Sequence, residues 1–170
     1  VSLLIPIYNV EAYLEQCLRS AQEQTLSEIE ILCINDGSTD GSRDIIKKFA
    51  DQDNRFHIID KPNSGYGDSM NRGLDAAQGT YLGILESDDF MEPNALEKMD
   101  GAALSNDAEV VKANFFFYWS SPEDRYVKSD IITSDMVGRS NPQEDPVIFY
   151  KKPTIWSAIY KRSFLAEHAI

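Results

Sequence analysis

Four short apolar runs, each followed by a polar loop and then by residues at helical spacing, restrict this chain more than any other feature of its sequence. Val1 to Ile7, Ile29 to Ile34, Phe56 to Ile59 and Tyr81 to Leu85 are long enough for buried strands and too short for helices. After the first run, Asn9 is placed to cap a helix. Its apolar stripe is Leu14, Cys17, Leu18 and Ala21, with Glu11, Glu15 and Glu23 between them. Ile45, Ile46 and Phe49 mark a second helix beyond the turn-forming stretch Asp36 to Ser42. A third spans Asp68 to Gln78 and is stopped by Gly79, and Pro93 opens a fourth that carries Leu96, Met99, Ala103 and Leu104. Repeated strand–helix alternation with short loops predicts an α/β fold with a doubly wound, mostly parallel sheet.

The alternation weakens after about Asp107. Val110 to Trp119 is rich in β-formers, Ser120 to Asp124 breaks it, and Pro142, Pro146 and Pro153 punctuate the rest of the chain. Residues 1–107 are therefore expected to be the core, and residues 108–170 a smaller mixed portion of the same domain, packed on the same sheet. A length of 170 residues suits one domain. Charge narrows the partners: 28 acidic against 16 basic residues give a net charge of −12, which argues against a protein that coats nucleic acid. The balance reverses only near the end, where Lys151, Lys152, Lys161 and Arg162 face Glu167. That edge could meet a phosphate or an anionic membrane surface, although it reads first as solvated charge. No run approaches the ~20 apolar residues of a membrane span. Cys17 and Cys33 lack metal-ligand spacing and read as reduced core thiols, so the expectation is a cytoplasmic protein.

Open parallel sheets bind ligands beyond the carboxyl ends of their strands, so the loops after the apolar runs are where chemistry should lie. They are Pro6-Ile7-Tyr8-Asn9, Asn35-Asp36-Gly37-Ser38-Thr39-Asp40-Gly41, Pro62-Asn63-Ser64-Gly65-Tyr66-Gly67 and Glu86-Ser87-Asp88-Asp89. Asp36 leaves a buried strand where a carboxylate can accept hydrogen bonds from a base or ribose, and Asp40 can equally cap the next helix. Glu86, Asp88 and Asp89 put three carboxyl groups within four residues of a buried strand, a repulsion that a cation removes. Hard Mg²⁺ or Mn²⁺ fits such an oxygen-only cluster and commonly shares it with substrate phosphates. Rival motifs fail. Gly65-Tyr66-Gly67 lacks the third glycine of a dinucleotide fingerprint and follows the third strand, and there is no P-loop, G-x-S-x-G elbow or Cys–His arrangement.

Taken in order and spacing, Ile5-Pro6-Ile7-Tyr8-Asn9, Asn35-Asp36-Gly37-Ser38-Thr39-Asp40, Asn63-Ser64-Gly65 with Asn71-Arg72-Gly73, and Glu86-Ser87-Asp88-Asp89 resemble family 2 glycosyltransferases of the GT-A fold. The segment Ile155-Trp156-Ser157-Ala158-Ile159-Tyr160-Lys161-Arg162 looks like a later stretch of the same family. The resemblance implies a Rossmann-like nucleotide-sugar-binding core. The implied activity is inverting transfer of a sugar from a nucleotide-sugar, a UDP-sugar first, to a hydroxyl of a saccharide or lipid-linked saccharide. By that similarity Pro6 and Tyr8 line the base pocket, Asp36 holds the nucleobase, and Asn9, Ser38, Asn63, Gly65, Asn71 and Ser87 complete the donor site. Asp88 ligates a Mn²⁺ or Mg²⁺ ion beneath the diphosphate, with Asp89 beside it and Glu86 shaping the ribose and sugar contacts. Trp156 falls on the acceptor side. In this chain Glu86 replaces the first acid of the family's D-x-D, and Met70 stands where many members have Arg, with Arg72 two positions on. The family's general base follows the Trp156 segment, so it is expected beyond Ile170. Asp145, in Glu144-Asp145, is a poor substitute because it precedes Trp156. A non-catalytic nucleotide- or glycan-binding module on the same fold is the alternative. Bacterial cell-surface polysaccharide synthesis at the inner face of the plasma membrane is the context the resemblance suggests.

Overall fold

The computed structural model of the chain describes residues 1–129, 131–138, 141, 143–144 and 154–168. Its centre is β1 (Ser2–Ile7), buried at every position. Parallel neighbours lie on both sides: β2 (Glu30–Asp36) pairs from Ser2↔Glu30 to Ile7↔Asn35, and β4 (Tyr81–Ile84) pairs from Ser2↔Leu82 to Leu4↔Ile84. Beyond β2 lies β3 (Phe56–Lys61), also parallel, with Asp36 opposite Lys61 at the end of the ladder. The second part of the chain extends the same sheet. β5 (Val110–Lys112) forms the far edge, β6 (Phe116–Trp119) and β7 (Arg125–Lys128) make a separate antiparallel hairpin, and β8 (Ala158–Lys161) enters antiparallel between β4 and β5. The strand order is β3-β2-β1-β4-β8-β5.

Alternation along the central strands feeds two cores, as a sheet covered on both faces requires. Leu3, Ile5 and Ile7 with Ile31 and Cys33 face α1 (Glu11–Gln22), α2 (Ser42–Gln52) and α4 (Ala95–Asn106), which contribute Leu14, Leu18, Ile46, Phe49, Leu96 and Met99. Leu4, Leu32, Ile34 and Leu82 face the other way. There α3 (Tyr66–Ala76) packs Met70 and Leu74, and α5 (Arg162–Glu167) packs Leu165. The winding on both faces is the expected doubly wound arrangement. Cys17 and Cys33 are buried and free.

Three local expectations change. Asn9 caps no helix: it adopts φ 51°, and its Oδ1 instead accepts the Thr39 backbone N–H at 2.8 Å. The first N–H of α1, on Glu11, is met from the next loop by Asp40 Oδ2 at 3.1 Å. Helix α3 starts at Tyr66, two residues before the position expected, because Gly65 at φ 91° turns the chain directly into it. The β-rich run Val110 to Trp119 is two strands, separated at Ala113–Phe115. The basic end is partly tied down as well: Lys161 Nζ donates to Asp107 Oδ1 at 2.7 Å and Arg162 Nε to Gly79 O at 2.9 Å, while Lys151 and Lys152 lie outside the described residues. Among the described residues no helix is long and apolar enough to cross a membrane.

Candidate functional site

The chain runs from β1 to β2 and β3 on one side and then crosses to β4 on the other, so the switch point of the sheet lies between β1 and β4. Their ladder ends at Leu4↔Ile84, followed by one bond from the Leu85 N–H to Leu4 O at 3.0 Å. Pro6 lies beyond it, buried, and with no N–H it cannot extend pairing toward β4. The two strands therefore part at their carboxyl ends, and the loops after β1, β2, β3 and β4 lie along that edge of the sheet.

Those loops are tied to one another across the sheet edge. Between the first and second, the Asn9 N–H donates to Ser38 Oγ at 3.2 Å and the Val10 N–H to Ser42 Oγ at 3.0 Å. Asp40 sits at the N-termini of both α1 and α2, its other oxygen accepting the Ser42 N–H at 3.0 Å. Desolvation opposes ionisation of Asp40, and these hydrogen bonds outweigh it and hold the carboxyl below its ordinary range.

Between the second and third loops the tie is a buried ion pair. Asp36 is 5% exposed, and its carboxylate meets the Lys61 ammonium, whose side chain is fully buried. Oδ1 also accepts the Ser64 N–H at 2.8 Å and Oδ2 the Gly65 N–H at 3.0 Å. Burial alone would raise the Asp36 carboxyl. The hydrogen bond from Lys61, the Ser64 N–H and the charge of Lys61 reverse that and lower it. Lys61 extends the network by donating to Ser64 Oγ at 2.6 Å and pairing with Asp68 at 3.1 Å. Asp68 in turn accepts from Arg72 Nε at 3.0 Å and is held well below the usual carboxylate range by Ser64, Arg72 and Lys61. Arg72 thus faces Asp68 on its own helix.

The third and fourth loops meet where the Tyr66 hydroxyl donates to Glu86 Oε1 at 2.8 Å. Glu86 is half-buried, and burial pushes its carboxyl up. The Tyr66 hydrogen bond opposes this, while Asp88 and Asp89 add to it. Ser87 is buried at 8% exposure, and Asp88 and Asp89 both reach the surface. Atoms crowded around the Asp89 carboxyl, and then the Asp88 charge, raise it above its ordinary value. Among the described residues no Lys or Arg pairs with either aspartate, and no group of three or more His, Cys, Asp or Glu is arranged to hold a metal ion. Two exposed carboxylates are nevertheless a hard-oxygen donor set of the kind Mg²⁺ and Mn²⁺ complete with substrate phosphates and water, so the residues present fit such an ion.

Tyr8, Asn9, Ser38, Asn63, Gly65, Glu86, Ser87, Asp88 and Asp89 thus line one sheet edge with Pro6 and Asp36 at its floor, while Asn71 lies exposed on α3. Trp156 is on the β8 side, its ring edge-on to Phe115 with centroids 4.5 Å apart and planes at 68°. Both line a cavity of about 390 Å³ that also receives Glu86, Asp88 and Asp89. Asp145 is outside the described residues. Lys61 and the Tyr66 hydroxyl were not legible as site residues. The only signal for Lys61 is its place on the strand face shared with Ile59, which matters only once Asp36 is known to lie opposite.

Glycine geometry in these loops gives a stability test. Gly37 has φ 68°, and a Cβ there would lie 2.8 Å from the Asn63 backbone N. Gly65 has φ 91°, and nothing lies within 4 Å of its Cβ position. Gly65→Ala is expected to cost about 1 to 2 kcal/mol of unfolding free energy for the backbone alone, and Gly37→Ala about 1 to 3 kcal/mol more for the collision. Urea unfolding of both variants measures the gap, and equal losses would contradict this account.

A doubly wound sheet with anchored acidic loops at its switch point is the layout of the GT-A glycosyltransferase fold. The chain belongs to glycosyl transferase family 2, whose model matches residues 2–165. It is 35% identical over 180 aligned positions to a putative glycosyltransferase, EpsH, of Bacillus subtilis, covering 100% of this chain and 49% of that protein. Among solved structures it superposes with TM-score 0.82 on S. aureus TarS 1–349 in complex with UDP-GlcNAc, at 21% identity, covering 99% of this chain and 47% of that one. It superposes with TM-score 0.70 on the mannosyltransferase PcManGT from Pyrobaculum calidifontis in complex with GDP-Man and Mn²⁺, at 16% identity, covering 98% and 46%. At those identities the likeness is one of fold. The chain spans about half the length of the curated relatives it matches.

Proposed function

We propose that these residues form the donor side of an inverting glycosyltransferase, which moves a sugar from a nucleotide-sugar, UDP-linked first, to an acceptor hydroxyl with the help of a divalent ion. The observation that carries this reading is the arrangement along one edge of the sheet. At one end is a carboxylate held ionised at the floor, Asp36; at the other are two aspartates open to a cation, Asp88 and Asp89, with a cavity beyond them. Asp36 is fixed by Lys61 and two backbone N–H groups, which leaves lone-pair capacity on Oδ2 for an N–H of a pyrimidine base. Tyr8, 48% exposed at the mouth, supplies a flat surface for that base. Asp88 and Asp89 would hold Mn²⁺ or Mg²⁺, and the ion would offset the charge of the departing diphosphate. The Tyr66–Glu86 hydrogen bond orients the first acid of that loop toward the donor side. Inverting transfer forms a bond from the acceptor oxygen to the anomeric carbon as the bond to diphosphate breaks, and the acceptor proton passes to a general base. Two buried free thiols suit a reducing compartment, which supports a cytoplasmic site of action. A saccharide or lipid-linked saccharide acceptor belongs to the same proposal.

Calorimetry with UDP and with GDP, each with and without Mn²⁺, tests the donor reading. Expected is Mn²⁺-dependent binding of UDP, weaker binding of GDP, and a loss of at least about tenfold in UDP affinity in Asp36→Ala, the size of one charge-assisted hydrogen bond. Failure to bind either nucleotide would sink it.

A further inference from the structure

The acidic loop between β4 and α4 is held from the side by α1, through groups that the donor reading does not use. At its start the Cys17 thiol donates to Glu86 O at 3.6 Å. Toward its end the Met91 N–H donates to Ser20 Oγ at 3.2 Å, and that hydroxyl donates to Cys17 O at 2.7 Å. Gln24 lies in the turn after α1 and is 5% exposed. Its Nε2 donates to Ser20 O at 3.1 Å and to Glu92 O at 2.8 Å, and its Oε1 accepts the Leu96 N–H at 3.1 Å. Asn94, at the start of α4, makes no side-chain cap, so the Gln24 amide meets one of that helix's free N–H groups from across the loop. The Thr25 N–H adds a bond to Pro93 O at 2.8 Å.

Glu86 to Glu92 is therefore an arch with both feet on α1 and the turn that follows it. Asp88 and Asp89 lie between the feet, and a turn from the Asp89 N–H to Glu86 O at 2.9 Å ties them to the first one. Like charge on Glu86, Asp88 and Asp89 acts to open so short an arch. The thiol, hydroxyl and amide that resist this bond to its backbone atoms, so they fix its path and take none of the Asp88 and Asp89 carboxylate oxygens.

We propose that Ser20 and Gln24 are positioning residues for the divalent ion: by anchoring the acidic loop to α1 they set the placement of Asp88 and Asp89 before the ion arrives. The inference rests on the donor reading above, in which those two aspartates take the ion, and adds the residues that prepare them for it.

The test measures Mg²⁺ and Ca²⁺ affinity by calorimetry on the full-length protein at saturating UDP, with UDP affinity in a chelator and the melting temperature taken in parallel. Ser20→Ala and Gln24→Met are each expected to weaken Mg²⁺ binding at least about tenfold, the usual size of a lost partner behind a metal ligand. Ca²⁺ binding should fall less, because Mg²⁺ demands a near-ideal octahedron and Ca²⁺ tolerates an irregular one. UDP affinity without metal should stay that of wild type. Ser20→Ala is expected to melt with wild type, since alanine is the better helix former, which keeps the test valid if Gln24→Met is poorly folded. Ser20→Thr keeps the hydroxyl and should restore Mg²⁺ affinity. Unchanged Mg²⁺ affinity in Ser20→Ala, or an equal loss for Mg²⁺, Ca²⁺ and metal-free UDP, overturns the positioning role and leaves the donor reading standing. Wild-type UDP binding that no divalent ion strengthens overturns the metal part of the donor reading, and the positioning role falls with it.

Discussion

Asp88→Ala is expected to lower sugar transfer by the full-length protein at least about 100-fold with Mn²⁺ present, because an ion offsetting leaving-group charge contributes several kcal/mol to the transition state. Asp88 is the exposed member of the acidic loop that has no hydrogen bond or ion pair among the described residues, so its loss leaves the fold unaltered. Melting temperature should stay within about 2 °C of wild type, as for most surface substitutions. Burial raises the Glu86 and Asp89 carboxyls, and removing Asp88 takes away the neighbouring negative charge that adds to this. Nucleotide release assays with a range of divalent ions check the effect. Transfer within threefold of wild type at saturating Mn²⁺ would falsify the role given to Asp88.

Lys61→Met is expected to be strongly destabilising. It leaves the Asp36 carboxylate buried with two N–H partners and no cation, which should cost about 3 to 5 kcal/mol at neutral pH. For a domain of this size that is a drop of about 6 to 20 °C in melting temperature. The pH dependence has a definite sign. Asp36 is depressed in the folded protein, so its contribution is present above its unfolded value and lost as pH falls through the folded one. Lys61 is raised, so its contribution is present below its unfolded value and lost as pH rises through the folded one. The pair therefore acts fully between about pH 4 and about pH 10. In Lys61→Met burial dominates at Asp36, protonation relieves it, and the deficit against wild type should shrink as pH is lowered from 7 toward 4. Thermal melts of both proteins across that range decide it; a constant difference would mean that packing, not charge, is what Lys61 supplies. UDP affinity should fall in parallel, since Ser64 and Gly65 are positioned by the same carboxylate.

The parallel half of the sheet was legible because each of its strands contains a short apolar run and is followed by a stripe of helical period, signals that lie within a dozen residues. Asp36, Asp88 and the loops around them could be singled out for the same reason, since their position after a buried strand is itself local. What could not be read depends on contacts between distant residues. Asn9 looks like a cap by every neighbour-based rule, yet α1 takes its cap from Asp40, and only the pairing of β1 with β2 brings the two together. Lys61 reads as a surface lysine until the register sets it opposite Asp36. Tyr66 reaches Glu86 across the end of β1, twenty residues on in sequence. The cavity walls come from the least patterned stretch, where the run Val110 to Trp119 has the same composition throughout but divides between a sheet edge and a hairpin.

The place of β8 determines the order in which the sheet can be completed. β1 to β4 need only contacts made within the first half of the chain, whereas β5 has no neighbour in the sheet, among the described residues, except β8, which is nearly fifty residues further on. Until β8 arrives, β4 presents a bare edge of backbone donors and acceptors, and Val110–Lys112 has nothing to pair with. On a ribosome, synthesis therefore passes through an interval in which a folded parallel half carries an open, adhesive side, until the antiparallel strand that covers it, the last of the sheet among the described residues, has been made.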